Sequence, residues 1–151
     1  MSWIRLKNFL ISRLKVNYKL ILVYIVVYLI AGIAMNEFGK WAEIARFESS
    51  WQIFTTYVLY MIPISLLLRG FPWHAQYAYG LIAMGILEFI GYALESSYAY
   101  PGNVLDQWFG IRNFSLAMTL FFAVYFPAGN ALVAVITKLV FGEKAASGEI
   151  D

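Results

Sequence analysis

Four apolar stretches, each close to the length of a bilayer crossing, alternate with short polar connections along this chain. They cover about 18–38, 50–68, 74–98 and 113–139. Roughly 20 apolar residues in a helix span membrane hydrocarbon, so each stretch predicts one transmembrane helix. The centre of the first, LILVYIVVYLIAGIAM, holds no charge, and Asn36, Glu37 and Lys40 mark its exit. The second starts at Trp51, ends before Arg69 and contains Pro63, where a bend is expected. Gly70 and Pro72 then predict a tight turn, which makes the second and third helices antiparallel neighbours. The fourth is interrupted by PAGN at 127–130 and is long enough to kink or tilt.

The flanks carry their own patterns. In residues 1–17, Trp3, Leu6, Leu10 and Leu14 share one helical side, and Arg5, Ser12 and Lys15 lie opposite. That is the pattern of an amphipathic helix in the headgroup plane, or of a basic anchor that sets orientation. The connection after the first span alternates in sign at Glu37, Lys40, Glu43 and Arg46, which reads as a solvated helical extension. Pro101-Gly102 is a turn signal, and VLDQWFG after it reads as a short amphipathic piece at the membrane surface. The tail 143–151 is small and polar and is expected to be disordered. The organisation read from the pattern is therefore an interfacial helix (1–17), a four-helix transmembrane domain (18–142) and a tail. No internal repeat is legible: the second and fourth spans each hold a proline, but their flanks do not match.

Composition agrees with this class. The chain is 62% hydrophobic and 13% charged, against about 45–50% and 25% in soluble domains, so its natural solvent is lipid. The basic, then apolar N-terminus resembles a signal peptide, but a long apolar run without a small-residue cleavage site reads as a retained helix. No cysteine is present, which removes disulfides, thiolate nucleophiles and thiolate-held metals. A net charge of +2 gives no footprint for nucleic acid. Eight of the eleven Lys and Arg residues fall on the side of the termini and the second connection, which puts both termini in the cytoplasm.

Candidate chemistry comes from polar residues inside the apolar runs. Glu88 lies within the third span and Glu95 near its end, seven residues apart. If the helix runs through both, Leu81, Met84, Gly85, Glu88, Tyr92 and Glu95 share one stripe. An acid at membrane depth costs about 2.5–3.5 kcal/mol on insertion scales unless it is paired, protonated or wetted. By depth, Thr55, Thr56, Asn113, Ser115 and Thr119 join Glu88, Tyr92 and Glu95 in a polar outer half, with Arg112 in reach as a counter-charge. The inner half reads as aliphatic and aromatic, interrupted by Ser65, Asn130 and Thr137. His74 stands at the inner boundary as an interfacial anchor; ligation of a pigment or haem iron is the less favoured reading.

These features predict an all-α integral membrane protein with four antiparallel transmembrane helices. The leading expectation is a non-catalytic subunit or accessory factor of a larger membrane complex, held by polar intramembrane contacts and aromatic surfaces. Its partners would be membrane lipids and other membrane subunits or a second copy. No cofactor or metal is implied, though a bound lipid is compatible with the pattern. One alternative is a lipid- or isoprenoid-directed enzyme with Glu88 as general acid or base, tuned by Glu95 and Arg112. Another is a proton-coupled carrier acting as a dimer.

Overall fold

The computed structural model describes residues 2–110 and 114–150. The chain is mostly helical. Helix α1 (Trp3–Leu14) leads into α2 (Tyr18–Trp41), strand β1 (Ala45–Phe47) and α3 (Trp51–Leu68). After a tight turn come α4 (Trp73–Ala93), strand β2 (Ser97–Ala99) and the short α5 (Val104–Phe109). The return is made by α6 (Phe114–Phe122) and α7 (Tyr125–Phe141), with α8 (Glu143–Ser147) closing the chain. Three helices are long and apolar enough to cross a membrane: Tyr18–Trp41, Trp51–Leu68 and the combined Phe114–Phe141. Helix α4 has the length, at 21 residues, but Gln76, Glu88 and its tyrosines dilute its apolar character.

Lipid-type patterning explains which faces are buried. Leu20, Val23, Tyr24 and Tyr28 of α2 recur at helical spacing and face Tyr57, Met61, Phe126 and Val133. The outer face of the same helix leaves Leu22, Val26, Ile30 and Ile33 exposed. An apolar exterior of this kind is what acyl chains cover. Glycines let the helices approach. A Cβ on Gly32 would lie 2.7 Å from the Tyr57 ring, and one on Gly80 would lie 2.5 Å from Phe126.

Both prolines distort their helices, but not in the same way. Pro63 cannot donate, and its ring crowds the carbonyl four residues back; the preceding segment Phe54–Met61 is wound as a π-helix. In the last span the break falls at 123–124, ahead of the expected PAGN. Pro127 sits in the first turn of α7, where a missing N–H costs little.

The largest departure from the sequence reading is at the ends of α2 and α4. Helix α4 stops at Ala93, so Glu95 is outside it and the proposed Glu88–Glu95 stripe does not exist. The Ser96 N–H bonds the Gly91 carbonyl and the Glu95 N–H bonds the Tyr92 carbonyl, with Glu95 at φ +51°. This is a Schellman stop with glutamate at the left-handed position usually given to glycine. The end of α2 repeats it: Ile44 N–H to Gly39 carbonyl, Glu43 N–H to Lys40 carbonyl, Glu43 at φ +51°. The expected helical extension there is instead this stop followed by β1.

Two residues past each glutamate a strand begins, and the strands pair antiparallel with Arg46 opposite Tyr98. The offset is constant: Gly39 and Gly91, Glu43 and Glu95, Ala45 and Ser97 each differ by 52. The chain therefore contains a tandem repeat of helix, left-handed stop, strand and proline-containing return, where none was expected. The ribbon is fastened to the bundle. Phe47 N–H donates to Asn36 Oδ1 at 3.0 Å, and Gln52 Nε2 donates to the Ser96 carbonyl at 2.6 Å. Gly39 gives the strand room, since a Cβ there would collide with the Ala45 carbonyl.

At the opposite end the termini meet. Asn17 caps α2 through Oδ1 and donates from Nδ2 to the carbonyls of Ala145 (3.2 Å) and Glu149 (2.9 Å). The tail expected to be disordered thus forms α8, tied to the start of α2 by the Asn17 amide and to α7 by the Lys138–Glu143 ion pair at 2.6 Å. Arg13 lies over the rings of Phe9 and Phe71 and donates to the Arg69 carbonyl, which seats α1 on the turn between α3 and α4.

Candidate functional site

Two polar regions occupy the bundle. The first is a knot in the half nearer the termini, which the sequence reading took as nearly aliphatic. Asn130 of α7 sits at its centre. Its Oδ1 accepts from the Tyr24 hydroxyl at 2.5 Å, and its Nδ2 donates to Gln76 Oε1 at 2.7 Å and to the Ser65 carbonyl at 3.1 Å. The Tyr28 hydroxyl donates to the Tyr125 carbonyl at 3.0 Å and lies 2.5 Å from Ser65 Oγ. Tyrosine has one proton to give, so Ser65 must donate to Tyr28. Gln76 Nε2 donates to the Phe71 carbonyl at 2.8 Å. All four long segments contribute, and the side chains satisfy one another. Such a saturated set has no free group for chemistry; it fixes helix order. Tyr24 and Tyr28 were missed because a tyrosine in a span reads as boundary or packing, and Gln76 because it stands in the first turn of α4, where a polar residue reads as boundary. Two buried side-chain atoms stay without a hydrogen bond among the described residues, Arg69 Nη1 and Thr137 Oγ1.

The second region is a half-open cavity of about 480 Å³ beside the β-ribbon, lined by α2, α3, α4, α5 and α6. Its floor is Tyr57, Met84 and Phe122, its sides include Met35, Leu87, Met118 and Phe121, and its rim holds Asn36, Arg46, Gln52 and Ser96. The size falls within the roughly 300–1,000 Å³ usual for small-molecule sites. Glu88 lines it, five residues and about 7.5 Å below the end of α4. Among the described residues no hydrogen bond or ion pair reaches its carboxylate. Thr55 and Thr56 line the same space, which the π-helical winding of α3 presents to it.

Several polar groups around Glu88 are already engaged. Thr55 donates to the Gln52 carbonyl at 3.1 Å, and Ser96 Oγ to the Gly91 carbonyl at 3.2 Å. The Arg46 guanidinium lies over Tyr98 and Tyr100, 5.1 and 5.9 Å from the ring centres. Asn36 is the repeat counterpart of Glu88, 52 residues earlier. Its Oδ1 is filled by the Phe47 N–H, whereas Glu88 has no matching donor.

The remaining sequence candidates scatter. Tyr92 is exposed on the outer surface and Glu95 is exposed in the turn, so neither lines the cavity. Ser115 and Thr119 are buried in α6, where Thr119 Oγ1 donates to the Ser115 carbonyl at 2.8 Å; they too lie outside the lining. Arg112 and Asn113 lie outside the described residues. His74 is exposed, its ring 5.9 Å from that of Trp73. Among the described residues no three His, Asp or Glu side chains gather as a metal site would require. Against known proteins, no family model, no curated protein and no solved structure matches the chain.

Proposed function

We propose that this is a four-span integral membrane protein that holds one small hydrophobic ligand in the cavity beside the ribbon and acts as a non-catalytic subunit or accessory factor. The observation that carries this reading is the cavity itself: an apolar hollow of about 480 Å³ with one carboxyl on its wall that has no hydrogen bond or ion pair among the described residues. In this reading α4 is the fourth crossing, since it runs alongside three helices that already suit a bilayer. The termini and the turn after α3 collect eight basic residues at one end, which supports a cytoplasmic placement for that end. The exposed apolar faces of α2, α4 and α7 suit lipid or neighbouring subunits.

Topology is tested with single cysteines, which are clean labels in a chain that has none. An impermeant maleimide should label Ser97→Cys from outside the cell and Ser147→Cys only after permeabilisation. Ligand retention is tested by native mass spectrometry of the purified protein. A bound small molecule that is lost in Met118→Trp, which fills the cavity, supports the reading; protein that carries nothing, or retains the molecule in that variant, overturns it.

A lipid-directed enzyme is the second reading, favoured by the position of Glu88 against open space. Of its expected helpers, Glu95 is in the turn and away from the cavity, and Arg112 lies outside the described residues. Turnover of a lipid that disappears in Glu88→Gln with ligand binding intact would select it.

A further inference from the structure

The cavity described above constrains the polar end of whatever fills it. We propose that its ligand is a lipophilic amine, with the ammonium against Glu88 and the hydrocarbon between Tyr57, Met84, Phe121 and Phe122. The inference rests on the reading of the cavity as a ligand site and adds the chemistry of its occupant.

Three observations carry it. The first is the unfilled acceptor. Glu88 has no hydrogen bond or ion pair among the described residues, while Thr55, Gln52, Asn36 and Ser96 around it are committed to protein partners. The ionised carboxylate calls for a donor that these four side chains do not offer, and a ligand with a donating head supplies it. The second is charge. The basic residue at the rim, Arg46, is drawn onto Tyr98 and Tyr100 of the ribbon rather than down onto Glu88. Among the described residues no cation complements this partly buried acid; an amine would supply one, and an alcohol would supply a donor but no charge. The third is the wall. Tyr57, Phe121, Phe122 and Trp108 border the same cavity. Tyr57 and Phe122 meet edge to face at 6.2 Å, as do Phe121 and Phe122 at 5.3 Å. Ring faces attract an ammonium and also accept a hydrocarbon chain, a combination suited to an amphiphile with a small positive head.

The repeat sharpens the argument. In the first half, the equivalent position carries Asn36, an uncharged side chain that accepts from the Phe47 N–H and so fastens the ribbon. In the second half the same position carries an acid and no backbone donor answers it. The cavity thus has one wall that holds the ribbon and one wall left to bind.

The test uses the full chain in lipid nanodiscs and three photoreactive probes of equal length: a diazirine alkylamine, the alcohol and the carboxylic acid. Labelled peptides are identified by mass spectrometry. The amine should label cavity peptides around residues 84–91 and 114–122 at least about tenfold over the alcohol, a difference of ~1.4 kcal/mol. Excess unlabelled alkylamine should compete it away. Glu88→Gln should remove the preference for the amine while a melting curve shows the fold retained. If the alcohol labels the cavity as well as the amine, or Glu88→Gln leaves the preference intact, the amine assignment is overturned and the cavity reading stands. If none of the three labels the cavity above the lipid-facing side of α2, and Met118→Trp changes nothing, the cavity reading falls with it.

Discussion

Asn130 Nδ2 lies 2.7 Å from Gln76 Oε1, and this contact bonds α7 to α4 in the part of the bundle where neither can reach water. Replacement of Asn130 by Ala removes three hydrogen bonds at once and leaves the Tyr24 hydroxyl and the Gln76 carbonyl oxygen without their partner. Interhelical bonds in membranes average well under the vacuum figure, so the expected loss is about 1–3 kcal/mol rather than the sum of three strong bonds. Thermal unfolding in detergent should show it. Tyr24→Phe, which drops one bond and keeps the ring, should cost visibly less.

Helix α4 meets α7 through a glycine. Gly80→Leu places a side chain where the Phe126 ring already lies 2.5 Å from the first added atom. Phe126 is fully buried and cannot swing away. The expected result is destabilisation of about 3 kcal/mol or more, or failure to purify as a single species. Gly102→Leu is the control with respect to space, since nothing lies within 4 Å of a Cβ there; its positive φ of 69° still gives it a smaller cost.

Glu95 looks in the sequence like half of a carboxylate pair, and in the fold it is the residue that reverses α4. At φ +51° a glutamate is strained where glycine is not. Glu95→Gly should therefore be neutral or stabilising by up to ~1 kcal/mol, and Glu95→Val, branched at Cβ, should be destabilising. The same pair of substitutions at Glu43 should behave alike. A melting series of the four variants checks both stops together. Loss of ligand binding in Glu95→Gly with an unchanged melting point would contradict the purely conformational role.

The Asn17 amide ties the tail to the start of α2. Asn17→Ala breaks the bonds to Ala145 and Glu149 and also uncaps α2. Asn17→Asp keeps the cap but cannot donate. Limited proteolysis should cut residues 143–150 faster in both variants, while only Asn17→Ala should lower the melting point by the further ~1 kcal/mol expected of a lost cap.

How much of this was legible in the residues follows from the kind of signal each leaves. The apolar runs are unmistakable, because a helix in lipid must be apolar along its whole length, and the pattern brackets α2, α3 and the α6–α7 span. The ends are harder. Nothing about glutamate announces a left-handed turn, so Glu43 and Glu95 read as charges on a continuing helix. Strands of three residues are too short to set up an alternation. The repeat keeps little beyond Gly39–Glu43 and Gly91–Glu95 at one offset, which is invisible until the stops are seen. Glu88 was legible as a cost that needs an answer. Its setting was not, because the cavity is assembled from five helices that meet only in the folded chain. The knot around Asn130 hid behind tyrosines, whose hydroxyls give no hint from sequence whether they face water or each other.

The antiparallel ribbon has a further consequence. Each half of the chain supplies one strand that is incomplete without the other, and only the short turn at 69–72 joins the halves. A cut between residues 70 and 71 severs no ladder bond and no bond of the Asn130 knot, and it leaves Gln76 anchored to Phe71 within one fragment. Residues 1–70 and 71–151 made as separate polypeptides should find each other in the membrane and co-purify, whereas neither should persist as an ordered species alone. Continuity of the polypeptide, on this view, sets the stoichiometry of the two halves and contributes little to their mutual recognition.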